Sequence, residues 1–328
     1  MTKPKIRAND AAMQKKYEAM IASTVLLDLT IHKFGDKRKT NLKGVEMLTQ
    51  EDGHAERVAM SEEAFLLQRR LLSLTVGRKL RSLLRSAKTR IKQIAVPSFD
   101  REGVFRLSFA AVETAEQVLQ DAANALGPLK AEFREAYDTE VQKMRVLQGA
   151  KFRAKDYPSA YEAGERWGIE WAYMETAAVP KALAGVNKFV YDRAMQTAQK
   201  RANKVVQAVE QTLRAGLLAC VAKMKADLQV TTPLGRPKAY REDALEKVNE
   251  FFATFPLRNF INDGPSGAAL KQVRALLKQV PTADALDDEF VRAEVVQGLS
   301  SIADNIAPFV TEQAARAVMM PDDDDDDE

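Results

Sequence analysis

The chain is poor in the residues that disulfide bonds, metal sites and membrane spans require. It has one cysteine, two histidines and two tryptophans among its 328 residues. A single cysteine excludes an intrachain disulfide framework and favours a reducing compartment. No apolar run approaches the roughly 18–20 residues of a membrane span, and the polar residues 1–20 do not resemble a signal peptide. We therefore expect a soluble, cytoplasmic protein that does not bind membranes.

The same scarcity leaves few candidates for catalysis. His32 lies on the polar side of a predicted strand and His54 in a predicted loop, so a histidine metal pair would require a tertiary coincidence. Cys220 falls on an apolar helix stripe, where a buried thiol is typical. Residues 35–40 (GDKRKT) lack the GxxxxGK[ST] spacing of a phosphate-binding loop. We expect no catalytic residue, no metal ion and no cofactor, and therefore a protein that is not an enzyme.

The longest helical pattern covers residues 181–228, which contain no proline. Apolar residues recur there every three or four positions, which places them on one helical face. The mean step of about 3.8 residues exceeds the 3.5 of a left-handed coiled coil and favours a bundle over a two-stranded coiled coil. Because the first half of the stripe is alanine, partner helices should approach closer near Ala198 than near Leu213. The residues predicted to be buried on this helix are Val205, Val209, Leu213 and Leu217.

Two stretches predict β-strands. Residues 24–34 place Leu27, Leu29 and Ile31 in alternation with polar residues, and residues 167–175 alternate in the same way. A lone strand leaves its backbone hydrogen bonds unmet. We therefore expect the two strands to pair as a small two-stranded antiparallel sheet.

Helices account for most of the remaining chain. A loop is expected at 35–44, a connector at 96–109 and a kink or break at Pro128. The other predicted helices are 10–22, 61–94, 112–147, 240–255, 266–280 and 284–306. The fold class is therefore mostly α, an elongated helical bundle built on the long central helix.

These patterns also divide the chain into five parts. They are an N-terminal helical segment (1–23), a helical domain with two short strands (24–180), the central helix (181–230), C-terminal helices (239–318) and a disordered acidic tail (319–328).

The net charge of +3 conceals a strong asymmetry. The last seven residues are all acidic, and without them 39 of the 46 acidic residues remain against 49 basic ones, a charge of +10. Residues 64–99 contain nine basic side chains and no acidic one. A basic body with an acidic tail favours binding of a polyanion, or a tail that competes for the same surface.

One predicted helix within that basic region is amphipathic. Five of its basic side chains fall within an arc of about 80°, and its apolar side chains lie roughly opposite. The face is interpreted either as the solvated surface of a bundle helix or as a binding site for the nucleic-acid backbone. The candidate polyanion-binding residues are Arg78, Arg81, Arg85, Lys88 and Lys92.

The acidic tail has three interpretations. It solubilises the chain, docks on a basic groove of a partner or of this protein, or binds hard cations weakly. The candidate docking residues are Asp322, Asp323, Asp324, Asp325, Asp326, Asp327 and Glu328.

Four segments, in their order and spacing, resemble a family of uncharacterised bacterial and phage proteins. The family is often encoded beside a MoxR-type AAA+ ATPase and a von Willebrand factor A protein. The resemblance covers roughly residues 25–280. It rests on the positions of strands, turns and helix boundaries, not on catalytic motifs. The segments are 26–40 (LLDLTIHKFGDKRKT), 96–109 (VPSFDREGVFRLSF), 152–173 (FRAKDYPSAYEAGERWGIEWAY) and 244–263 (ALEKVNEFFATFPLRNFIND).

The resemblance implies a non-enzymatic adaptor or scaffold protein that works with an AAA+ ATPase as its protein partner. The alternative is a nucleic-acid-binding accessory protein of phage origin, with the acidic tail as its regulator. The sequence is compatible with a homo-oligomer.

Overall fold

The protein is mostly α-helical, with one long helix and a small antiparallel sheet. The computed structural model describes residues 8–35, 37–39, 46–51, 54–59, 68–72, 75–98, 101–175, 185, 187–231, 237–312 and 314. The candidate tail residues Asp322–Glu328 lie outside them.

The helices of the described chain confirm much of the predicted order. They are α1 Ala8–Ser23, α2 Thr75–Ile94, α3 Phe109–Gln148, α4 Ala160–Glu165, α5 Lys188–Gln229, α6 Glu242–Arg258, α7 Gly264–Leu277 and α8 Glu289–Ile306. The strands are β1 Thr24–His32, β2 Lys37–Lys39, β3 Glu46–Glu51, β4 His54–Ala59, β5 Gln68–Arg70, β6 Val96–Pro97, β7 Val104–Ser108 and β8 Gly168–Met174.

The main sheet has four strands in the order β6-β7-β1-β8, so the two-stranded prediction was wrong. The predicted pairing of the strand at 24–34 with the strand at 167–175 is confirmed, because β1 and β8 are neighbours. β7 lies antiparallel to β1, with Thr24 opposite Ser108 and Asp28 opposite Val104. The expected connector at 96–109 therefore contains two strands. All five side chains of β7 are buried, so it lacks the alternation that identifies a half-exposed strand.

The region between β1 and α2 also differs from the prediction. The helix expected from Ser61 begins at Thr75, and β2, inside the expected loop at 35–44, pairs with β5. His54 begins strand β4, which pairs with β3, instead of lying in a loop. The register leaves residues 52–53 between β3 and β4, and their sequence, Asp-Gly, is a strong hairpin signal. That signal was present in the sequence and would have predicted this pair.

The described chain divides into two compact units. The first comprises the described residues within Met1–Leu29, Arg90–Glu116 and Trp171–Glu328. Within it α5 is the central helix and contacts α1, α6, α7, α8 and β6. Its core combines side chains of α5 with those of the surrounding helices, among them Val209, Leu213, Leu217, Phe252, Phe255, Val273, Leu299 and Ile302. Burial of these apolar side chains is the main stabilising contribution in this unit.

The long helix begins later than predicted and is buried over only part of its length. The Asn187 side chain caps it by accepting a hydrogen bond from the Val190 amide at 3.2 Å. The predicted burial of Val209, Leu213 and Leu217 is confirmed, whereas Val205 is only partly buried. No side chain from Lys188 to Arg201 is buried. The expectation of closest packing near Ala198 was therefore wrong.

The second unit comprises Thr30–Thr89 and Gln117–Glu170. Its core includes a cluster of four buried rings whose neighbouring centroids lie 5.7–6.3 Å apart. The rings belong to Phe34, Phe133, Tyr137 and Trp167. α3 continues through Pro128, which was expected to kink or interrupt it. The Pro128 side chain is exposed, and buried Leu126 and Phe133 on either side hold the helix in place.

Candidate polyanion-binding surfaces

The amphipathic character of α2 is confirmed. Leu80, Leu84 and Ile91 are buried on one side. On the other side Arg78 and Arg85 are exposed, and Arg81, Lys88 and Lys92 are half-buried. The structure therefore places all five predicted cations on the outer face of one helix.

The cations of the α2 face are already engaged. Arg78 Nη2 donates to Thr75 Oγ1 at 3.4 Å. Arg81, Arg85, Lys88 and Lys92 each have an interaction partner as well. A phosphate group that binds this face would compete with these existing contacts, which lowers the net gain of each new ion pair.

A second basic surface lies on α5 and was missed from the sequence. We define the α5 cationic face as Arg193, Lys200, Arg201 and Lys204, all of which are exposed. At about 100° per residue, three of them fall within an arc of about 40°, and Arg201 widens the arc to about 100°. No acidic residue occurs from 193 to 209. Among the described residues, none of the four side chains forms an ion pair.

The exposed segment of α5, residues 188–201, also carries apolar side chains in solvent. Phe189 is 75% exposed, Val190 43% and Met195 45%. Val190 continues the three- and four-residue spacing of the apolar stripe predicted over residues 181–228, yet it is exposed. The acid-free run from 193 to 209 was the available signal that this part of the helix has a different role.

The C-terminal end of the described chain is fixed against α5. The Gln211 side chain donates from Nε2 to the Phe309 carbonyl at 3.1 Å and accepts from the Thr311 amide at 2.9 Å. Arg214 Nη1 donates to the same Phe309 carbonyl at 3.4 Å. Thr311 is therefore held beside Gln211, seven residues along α5 from Lys204, a rise of about 10 Å.

Next to this attachment point lies a buried ion pair. Arg214 Nε donates to Asp263 Oδ2 at 3.1 Å, and its Nη2 donates to Oδ1. Asp263 is 3% exposed and caps α7 by accepting from the amide and the hydroxyl of Ser266 at 3.1 and 2.6 Å. Burial alone would raise the pKa of Asp263, but the hydrogen bonds from Arg214 and Ser266 outweigh it and hold the pKa below its ordinary value.

Arg258 is the contrasting case in the same unit. Its side chain is 8% exposed, and its Nε has no hydrogen-bond partner in the described chain. Its guanidinium lies 5.9 Å from the centre of the Phe251 ring. Burial lowers the pKa of Arg258 to about 10, so it is still charged at neutral pH. This arginine is too enclosed to form part of an extended binding surface.

The candidates for catalysis lie apart from these surfaces. His32 is on β1 with its Nε2 3.5 Å from Glu170 Oε1, and both side chains are largely exposed. Burial raises the pKa of the Cys220 thiol to about 12, which opposes formation of a thiolate. No group of three or more His, Cys, Asp or Glu side chains is placed to hold a metal ion within the described ranges.

By length and composition alone, α5 is apolar enough to cross a membrane. The core helix of a bundle meets the same criterion, and the most apolar part of α5 contributes Val209, Leu213 and Leu217 to the core.

Comparison with known proteins leaves the family open. No family model matches the chain, and neither a curated protein nor a solved structure matches it.

Proposed function

We propose that this protein is a non-enzymatic, cytoplasmic binding protein that holds the phosphate backbone of nucleic acid on the α5 cationic face. The observation that carries the proposal is the set of four exposed cations without ion-pair partners, on a stretch of helix that has no acidic residue. Lysine and arginine contacts to phosphates release condensed counterions, which supplies affinity without base-specific contacts.

The α5 face is a better candidate than the α2 face. The α2 cations must give up or share existing contacts, whereas those on α5 do not. The α5 segment also has no buried side chain from 188 to 201, so a rod-like ligand can approach it without repacking a core. The α2 face remains a secondary site in this proposal.

Fluorescence anisotropy with a short labelled DNA duplex tests the proposal. Four phosphate contacts give a slope of log affinity against log salt of about −3 to −4. The double variant Lys200→Glu with Lys204→Glu should weaken binding and reduce the magnitude of that slope by about 2. The matched control is Lys223→Glu with Lys225→Glu, at the other end of the same helix.

Equal losses in the two double variants would show that net charge, and not the α5 face, determines binding. No binding at about 50 mM salt would overturn the proposal. A thermal melt of each variant verifies that it is folded.

A second candidate function is the adaptor that works with an AAA+ ATPase of the MoxR type. The exposed Phe189, Val190 and Met195 favour it, because apolar side chains in solvent are typical of protein-binding surfaces. Co-purification with the ATPase should be lost in Phe189→Ser and retained in Phe290→Ser, which changes an exposed phenylalanine on α8. Retention in both variants would remove the support that this segment gives to the adaptor.

A further inference from the structure

We propose that the acidic tail, Asp322–Glu328, binds within its own chain to the α5 cationic face. The inference deepens the proposed function, since it makes that face a regulated site. Only the competition with nucleic acid rests on the proposed function. The contact between tail and face is a separate claim and is tested separately.

The tail and the α5 cationic face carry opposite charges. The tail carries seven carboxylates in succession. The α5 face carries four cations that have no ion-pair partner in the part of the chain that the structure describes. Opposite charges attract over about 10 Å at about 0.1 M salt, so a tethered acidic segment within that range is drawn to an open basic surface.

The segment after Thr311 is long enough to bring the tail to the α5 cationic face. The backbone is fixed at Thr311 by the side chain of Gln211. Glu312 and Ala314 are helical, and the Ala314 amide donates to Thr311 Oγ1 at 3.3 Å. Beyond Ala314, eight residues lead to Asp322, about 26 Å of extended chain, and fourteen lead to Glu328, about 46 Å. From Gln211, the α5 cationic face begins about 10 Å along the helix, at Lys204, and ends about 27 Å along it, at Arg193. The tail therefore reaches the whole face without being fully extended.

Three other basic groups are less suited to bind the tail. Arg258 forms no ion pair among the described residues, but it is only 8% exposed, so it cannot contact a run of seven carboxylates. Arg214 is already paired with Asp263. On α2, the face that the sequence suggested for the tail, Arg81, Arg85, Lys88 and Lys92 have partners.

The contact has a functional consequence. A tethered ligand acts at an effective concentration of order millimolar, so the tail competes with weakly bound nucleic acid. Removal of residues 322–328 should raise DNA affinity roughly tenfold at low salt and change it little at about 200 mM salt. A tail in which Asp322–Asp327 are all changed to Asn, with the chain length kept, should behave like the deletion.

Zero-length carbodiimide cross-linking of the full chain, followed by mass spectrometry, tests the contact itself. We expect tail carboxylates to be joined to Lys200 and Lys204 at low salt, with the yield falling as salt is added. A mixture of isotope-labelled and unlabelled protein should give these links within one chain only. Lys223, exposed near the other end of the same helix, is the internal control.

Cross-links to Lys88 or Lys92, links between chains, or links no more frequent than those to Lys223 would overturn the inference. If the expected links form but the Lys200 and Lys204 double reversal leaves DNA binding intact, the proposed function fails and the tail contact stands. If that reversal weakens DNA binding while no links form, the proposed function stands and the tail contact fails.

Discussion

The two halves of α5 follow one sequence pattern and have opposite surroundings. From Ala202 to Leu228 the apolar stripe is buried against α1, α6, α7 and α8. From Lys188 to Arg201 the same spacing continues, yet no side chain is buried. Apolar periodicity therefore identifies a helix and one of its faces, but a face is buried only where other elements pack on it.

The difference in side-chain size between the halves agrees with this contrast. The buried half presents mainly valine, leucine and methionine, which remove more apolar area from water than alanine does. The exposed half presents Ala194 and Ala198 together with unpaired cations. Alanine keeps the helix stable without a packing partner, because it has the highest intrinsic helix propensity.

The largest expected effect comes from one substitution made in both halves. Val209→Asp should lower the free energy of unfolding by about 4–5 kcal/mol, because it places an unpaired carboxylate in the core. Val190→Asp, on the same stripe but 43% exposed, should leave the melting temperature nearly unchanged. Urea denaturation of both variants measures the difference. Similar losses in the two would mean that the first half of α5 is also a core element.

The next effect concerns the buried ion pair that Arg214, in the second half of α5, forms with Asp263. Asp263→Asn should cost about 3 kcal/mol, because it removes the carboxylate that accepts two hydrogen bonds from Arg214 and leaves only the more distant Glu210, at 3.6 Å. Asp243→Asn, which affects an exposed pair with Arg241, is the matched control and should change the melting temperature little.

The same pair predicts a pH dependence. The pKa of Asp263 is lower in the folded than in the unfolded protein, so its contribution is complete above the unfolded value of about 3.9 and is lost as the pH falls through the folded value. The stability difference between wild type and Asp263→Asn should therefore shrink below about pH 4. A difference that is constant from neutral pH into that range would contradict the ionised pair.

The last prediction compares the reactivity of a thiol in each half of α5 and involves the smallest expected change in stability. Cys220, in the buried half, has its pKa raised to about 12 by burial. Met195→Cys introduces a thiol in the exposed half, where it should react with iodoacetamide much faster than Cys220 near pH 8, since its thiolate is more populated. Labelling in urea, where both thiols should react alike, is the control. Fast native labelling of Cys220 would show that this part of the helix opens readily.

Much of the fold was predictable because it depends on local sequence. The helical identity of α5, α6, α7 and α8 followed from periodicity and from proline positions. β1 and β8 followed from alternation, and their pairing from the need to satisfy backbone hydrogen bonds. Fully buried or very short strands such as β7 and β6 carry no such signal, so the four-stranded sheet was not predicted.

The sites depended less on local pattern. The sequence identified the α2 cations and their common face, because an amphipathic helix places residues by spacing alone. It could not identify which cations are engaged, since partners come from segments distant in the chain. The α5 cationic face was hidden because its apolar neighbours matched a core stripe.

The sequence by itself predicted a long helix over residues 181–228, which the structure shows from Lys188 to Gln229. It also predicted that α2 is basic on one side, and it shows that the chain ends in seven carboxylates. Local propensity, side-chain spacing and composition are sufficient for these features. Only the tertiary structure decided where the core of α5 begins, which cations form no ion pair among the described residues, and that Thr311 is held by Gln211. Burial and ion pairing are set by contacts between segments far apart in sequence, and no local pattern encodes them.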